Sequence, residues 1–138
     1  MSKYVDGYVL PVPEDKIEEY QEMAAEAGKS WIKHGALQYF ECVGDDLEPD
    51  MGDVAMATFP DFVAADQDET VIFAFVVYES RKHRDEVNAA VHEEMGELEG
   101  VDEIEMPFDM TRMLYGGFDA LVDYQAEPST NDPIETTG

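Results

Sequence analysis

Residues Val71 to Tyr78 read Val-Ile-Phe-Ala-Phe-Val-Val-Tyr, eight positions without a charge in a chain of which 30% is charged. Seven of the eight are β-branched or aromatic, which favours a strand over a helix. A strand apolar on both faces belongs at the centre of a sheet, covered by one layer on each side. Helices can supply one layer. The rest of the chain holds two long stretches of helical period and no third, so the other layer has to come from elsewhere. A second copy of the same sheet is the economical cover, and the pattern predicts a homodimer through its sheet faces.

The flanking segments fit around that strand. Val5 to Val12 alternates Val5, Gly7, Val9 and Pro11 with Asp6, Tyr8 and Leu10, a strand that closes at Pro11 and Pro13. Pro13-Glu14-Asp15 opens a helix with acids at the positive end of its dipole. Its apolar stripe is Ile17, Tyr20, Ala24, Ala27 and Trp31, and it stops at His34-Gly35. Gly28 within that helix predicts a close approach to the sheet. Leu37 to Val43 forms a second strand, broken at Gly44-Asp45-Asp46. A long acidic loop, 44–69, follows, pinned to the body by Phe59, Phe62 and Val63; loops of this length commonly serve function or association.

Ser80 caps a second helix with Val87, Ala90 or Val91, and Glu94 or Met95 on its inner face, fading at Gly96 and Gly100. The last strand is read as Arg112 to Val122, where Gly116-Gly117 marks a bulge or a close approach. The order β-α-β, loop, β-α-β predicts an α+β fold: a ferredoxin-like βαββαβ antiparallel sheet with its helices on one face. Residues 1–124 are expected to make one domain and 125–138 a flexible acidic tail.

Charge bounds the partners. Thirty-three acids against eight Lys and Arg leave a net charge of −25 over 138 residues, spread along the chain rather than gathered in a block. Such a surface repels phosphates and anionic lipids, which excludes nucleic acid and membrane partners. No apolar run approaches the roughly 20 residues of a membrane span, and no basic-then-apolar leader opens the sequence, so a cytoplasmic location is expected. The self-repulsion of so acidic a surface is largely screened at about 1 M salt, where the Debye length is about 3 Å. Adaptation to a salty cell interior, as in halophilic archaea, is the expectation; a DNA mimic or an acidic partner-binding protein is the rival reading. The single cysteine, Cys42, excludes an intramolecular disulfide and reads as a small buried hydrophobe.

Several stretches resemble the YbaA-like family of small uncharacterised proteins. They are Tyr4 to Pro13, His34 to Leu37, Glu41 to Asp46, Asp68 to Val71, Ser80 to Asn88, and Met106 to Asp109 continuing into Arg112 to Phe118. They occur in the family's order and span residues 4–123, nearly the whole domain. The resemblance implies a dimeric α+β barrel. It brings no established activity, no cofactor and no catalytic residues. In such barrels the pocket lies within each subunit, between sheet and helices; some members are cofactor-free monooxygenases and others bind haem.

Two sets of side chains could carry chemistry. Ser80, Arg81, Lys82, His83 and Arg84 crowd a helix N-terminus with three of the scarce cations, a candidate anion site centred on Ser80, Arg81 and His83; the bland alternative is a cap plus ion pairs with neighbouring acids or those of a dimer partner. His34, Tyr39, Glu41, Arg84, Arg112 and Tyr115 could line a polar pocket for a small molecule, with His34 or Glu41 as a proton acceptor. Glu41, in an apolar strand, would need a partner such as Arg112 or Arg84 if buried. His83 and His92 lack the spacing of a helical zinc pair, so no metal is expected. No motif assigns a reaction. Small-molecule binding is therefore set against a non-catalytic interaction or stress-associated module, in which the dimer surface and acidic loop are the working parts.

Overall fold

The structure, a computed structural model, describes residues 2–96 and 106–126. The expectations for Gly100 and for the tail beyond Ala126 lie outside the described residues. Four strands, β1 (Tyr4–Pro13), β2 (Gln38–Val43), β3 (Glu69–Tyr78) and β4 (Leu114–Asp119), form one antiparallel sheet in the order β2-β3-β1-β4. The uninterrupted apolar run is central, between β2 and β1, as its two apolar faces require. Helices α1 (Ile17–Lys33) and α3 (Arg81–Gly96) connect the strands across one face. A 3-10 turn, Glu14–Lys16, precedes α1 and takes the place of the first helical turn expected at Pro13.

Register decides what each face carries. Tyr4, Asp6, Tyr8, Leu10 and Val12 of β1 lie beside Tyr78, Val76, Ala74, Ile72 and Thr70 of β3 and point toward the helices. Beneath α1, Leu10, Val12, Tyr20, Ala24, Ile72 and Ala74 form one buried cluster. Beneath α3, Tyr4, Ala36, Val76, Tyr78, Val87 and Val91 form another.

Among the described residues, no long helix covers the opposite face. It presents Val5 and Val9 of β1, Phe40 of β2, Phe73, Phe75 and Val77 of β3, and Leu114 and Phe118 of β4. Cys42, half-buried rather than buried, also lies on it, opposite Phe73. Phe118 is 62% exposed and Phe40 47%. No acid projects from this face between Val71 and Val77 or from the strand segments paired with them, although the chain has 33 acids. One end is covered by α2 (Phe59–Phe62), a helical turn inside the loop that the sequence pattern did not predict. Phe59 packs its ring 6.4 Å from that of Phe73, and Val63 beside it is buried. The segment is too short to show a helical period, but Thr58 caps it by accepting the Asp61 N–H.

The last strand starts later than its pattern suggested. Arg112 and Met113 belong to a 3-10 turn (Met110–Arg112) and its end, capped by Asp109, which accepts the Thr111 N–H at 2.9 Å. Pairing with β1 ends at Asp119, so Ala120 to Val122 lie beyond the strand. Gly117 permits a close approach rather than a bulge: an added Cβ there would sit against the Tyr4 hydroxyl.

Gly28 has the same role in α1. A Cβ at this position would lie 2.8 Å from Tyr39 Cδ1. In an open helix, Gly→Ala gains about 1 kcal/mol. Here overpacking, costing about 1–3 kcal/mol, reverses the sign. Gly28→Ala is expected to lower the melting temperature and to perturb the Tyr39 environment, both read by thermal unfolding followed through near-ultraviolet dichroism. A raised melting temperature would show that Tyr39 can move aside freely.

Candidate functional site

α1 meets the edge strand β2 closely at Gly28, and a cleft of about 800 Å³ lies between them. Its walls are apolar, formed mainly by Ile17, Ala24, Ile32, Val43 and Ile72. Strand alternation turns Tyr39 and Glu41 of β2 to the helix side, and helical period turns Tyr20 of α1 to meet them. Glu41 accepts hydrogen bonds on both oxygens, from the Tyr20 hydroxyl at 2.6 Å and from the Tyr39 hydroxyl at 2.5 Å. Burial, reinforced by the Glu41 carboxylate, pushes both phenols well above their ordinary range, so they remain protonated donors. Glu41 is the one acid in the lining.

A second polar cluster lies under α3. Arg84 donates to Asp6 Oδ1 at 2.7 Å and to the Tyr115 hydroxyl at 3.1 Å, and stacks over the Tyr4 ring at 5.0 Å. The Tyr78 hydroxyl and Trp31 Nε1 both donate to Asn88 Oδ1, at 3.2 and 3.3 Å. Asp6 is fully buried, and its Oδ2 has no hydrogen-bond partner among the described residues. Burial raises the Asp6 pKa, an effect only partly offset by the Arg84 charge. Tyr8 and Tyr115 stack beside this pair, their ring centroids 4.8 Å apart.

The six pocket candidates therefore fall into separate places. Tyr39 and Glu41 share the cleft; Arg84 and Tyr115 share the α3 cluster. His34 ends α1, its Nε2 3.2 Å from Glu94 Oε2. The same carboxylate accepts from Lys33 and Ser30, and these three contacts hold its pKa down to about 2. Arg112 makes a paired contact with Glu69, at 2.8 and 2.7 Å, and donates to the Ala64 carbonyl at 2.9 Å, which ties the start of β3 to the turn before β4. Neither arginine reaches Glu41; the partners of that carboxylate are phenols.

At the candidate anion site, Ser80 accepts the His83 N–H at 3.0 Å and is an N-cap. His83 Nδ1 accepts the Glu79 N–H at 3.0 Å, and the imidazole stands edge-on to Tyr78. Arg81 is exposed on the first turn, while Arg84 turns inward to Asp6. Two participants escaped the sequence reading. Tyr20 looked like one more residue of an apolar stripe, and Asp6 like one more acid among many; its signal was its phase with Tyr4, Tyr8 and Leu10.

Among the described residues, no helix is long and apolar enough to cross a membrane, and no three His, Cys, Asp or Glu side chains cluster as a metal site would need.

A β2-β3-β1-β4 antiparallel sheet with α1 and α3 across one face defines the ferredoxin-like α+β class. Two solved structures of dimeric ferredoxin-like proteins from uncultured marine organisms align over 91% of this chain and all of theirs, with TM-scores of 0.54 and 0.56 at 9% and 8% identity. The chain belongs to the family described as protein of unknown function DUF1428, whose model matches residues 3–110. It is 38% identical over 126 residues to the uncharacterized protein YbaA of Escherichia coli strain K12, covering 88% of this chain and 98% of that protein. The Shigella flexneri protein of the same name matches equally. The resemblance read from the motifs thus holds over nearly the whole domain.

Proposed function

We propose that this protein is a homodimer, packed through its open sheet faces, that binds a small apolar molecule in the α1–β2 cleft of each subunit. The observation that carries this reading is the cleft itself: about 800 Å³ of apolar wall around one carboxylate oriented by two tyrosines. Volumes of roughly 300–1,000 Å³ with few convergent polar groups are typical of small-molecule sites. The dimer is supported by the apolar sheet face, which carries no acid between Val71 and Val77 or on the strand segments paired with them. Across such a face a chain of net charge −25 can approach its own copy without bringing like charges together.

Native mass spectrometry of protein taken rapidly from molar salt is expected to show a dimer carrying a non-covalent mass that denaturation removes. Ala25 is an exposed position on α1 that lines the cleft. Ala25→Trp should fill the space and abolish the added mass while the dimer persists. A ligand retained undiminished by that variant would place binding elsewhere.

Salt adaptation belongs to the same proposal. Unfolding temperature is expected to rise steadily with potassium chloride up to molar concentration, as screening relieves self-repulsion. An unchanged melting temperature in salt-free buffer would remove it. A second reading, an interaction module, is favoured by the loop, where Met51, Val54, Met56 and Phe62 are half or more exposed. A protein partner lost on loop deletion, with an empty cleft, would select that alternative.

A further inference from the structure

The chemistry of the cleft narrows what it can hold, and this inference rests on the ligand-binding reading above. Each oxygen of a carboxylate offers two acceptor positions. Tyr20 and Tyr39 fill one on each oxygen of Glu41, and no other hydrogen bond or ion pair to Glu41 forms among the described residues. The phenols bring donors but no positive charge. Glu41 is half-buried, so water reaches it in the open cleft; a ligand that fills the cleft beside Ile17, Ala24 and Ile72 displaces that water, and a cationic one replaces its stabilisation best. The two lysines of the cleft lining do not serve: Lys29 pairs with Glu26 at 2.9 Å and Lys33 with Glu94 at 2.5 Å. Arg84 and Arg112 are committed to Asp6 and Glu69. Glu41 is thus hydrogen-bonded but makes no ion pair among the described residues, at one side of a cleft whose remaining lining is apolar apart from Gln21, Lys29 and Lys33.

We propose that the α1–β2 cleft selects an apolar organic cation, a primary or secondary ammonium on a hydrocarbon or aromatic body, whose N–H groups take the two free acceptor positions of Glu41. The apolar walls take the body of such a ligand, and the tyrosine rings add a favourable surface for positive charge. The chain's negative field draws cations toward the cleft and repels anions of the same shape. A neutral alcohol would supply a hydrogen bond without compensating the charge. The specificity is electrostatic, and the two phenols serve to hold the carboxylate in place.

Calorimetric titration of the full chain in buffered salt with phenethylamine, phenethyl alcohol and phenylacetate separates the terms. The amine is expected to bind at least about fivefold tighter than the alcohol: both donate to the same carboxylate, but only the ammonium adds a charge–charge attraction, about 1 kcal/mol even in bulk water. Phenylacetate should bind most weakly. Raising the pH past the ammonium's own pKa should erase the preference in the unaltered protein, a test that needs no variant. Glu41→Gln keeps the shape and removes the charge, and should bring amine binding down to the level of the alcohol while leaving alcohol binding within about threefold. Equal binding of amine and alcohol would overturn the cation preference while leaving the cleft a small-molecule site. Tightest binding by phenylacetate would overturn it also. No binding of any of the three would overturn the inference together with the ligand-binding reading.

Discussion

Arg84→Met is expected to cost about 3–5 kcal/mol of folding stability, the penalty for removing one partner of a buried ion pair. Arg84 is 13% exposed at its side chain and Asp6 0%, so solvent cannot replace the lost guanidinium. The variant also forfeits the hydrogen bond to Tyr115 and the stacking over Tyr4. The cost should depend on pH in a defined direction. Burial already raises the Asp6 pKa in the folded state, and loss of Arg84 raises it further. A raised folded-state pKa contributes stability that is full below the unfolded value and is lost as pH rises through the folded one. The deficit of Arg84→Met should therefore be smaller near pH 5 than near pH 8. Adding Asp6→Asn removes the stranded charge and should restore a large part of the loss. Urea unfolding in molar salt at the two pH values measures all three effects. A single-variant loss below about 1 kcal/mol would mean that water reaches Asp6 and that the pair behaves as a surface salt bridge.

Phe118→Asp is expected to convert the proposed dimer to monomer at micromolar concentration with little effect on the fold. The ring is 62% exposed, so the subunit itself loses little packing. In a two-fold interface the substitution occurs twice, and each buried aromatic anchor contributes about 2 kcal/mol or more. A combined loss of about 4 kcal/mol raises the dissociation constant roughly a thousandfold. Phe118→Leu keeps the face apolar and should remain dimeric. Sedimentation equilibrium in molar salt reads the difference, with far-ultraviolet dichroism to confirm folding. A wild-type monomer, or a Phe118→Asp dimer of unchanged affinity, would mean that the open sheet face is not where two copies meet.

The architecture was legible because it rests on local pattern. Eight consecutive apolar residues from Val71 to Tyr78 could only be central, and the stripe of α1 could only face a sheet. Ser80 announced a cap, Gly28 a close approach, and Gly116-Gly117 a bulge or a close approach, of which the close approach is found at Gly117. The exceptions were short. The Phe59–Phe62 turn has too few residues for a period, and the three residues of the Met110–Arg112 turn do not by composition separate a turn from the start of a strand.

The candidate site was legible only in part. Glu41 and Tyr39 stood out as polar residues in an apolar strand, but their partner Tyr20 lies 21 positions from Glu41, on another element. Which of the few cations would pair with which of many acids could not be read from spacing. Arg84 meets Asp6 across 78 positions and Arg112 meets Glu69 across 43. By itself, the sequence determined the elements, the order of strands and helices, and the apolar character of both sheet faces, because alternation and helical period are properties of neighbours along the chain. The tertiary structure alone decided which acid is buried, which carboxylate is held between two phenols, and where a cleft opens, because those depend on how far α1 and α3 stand from the sheet.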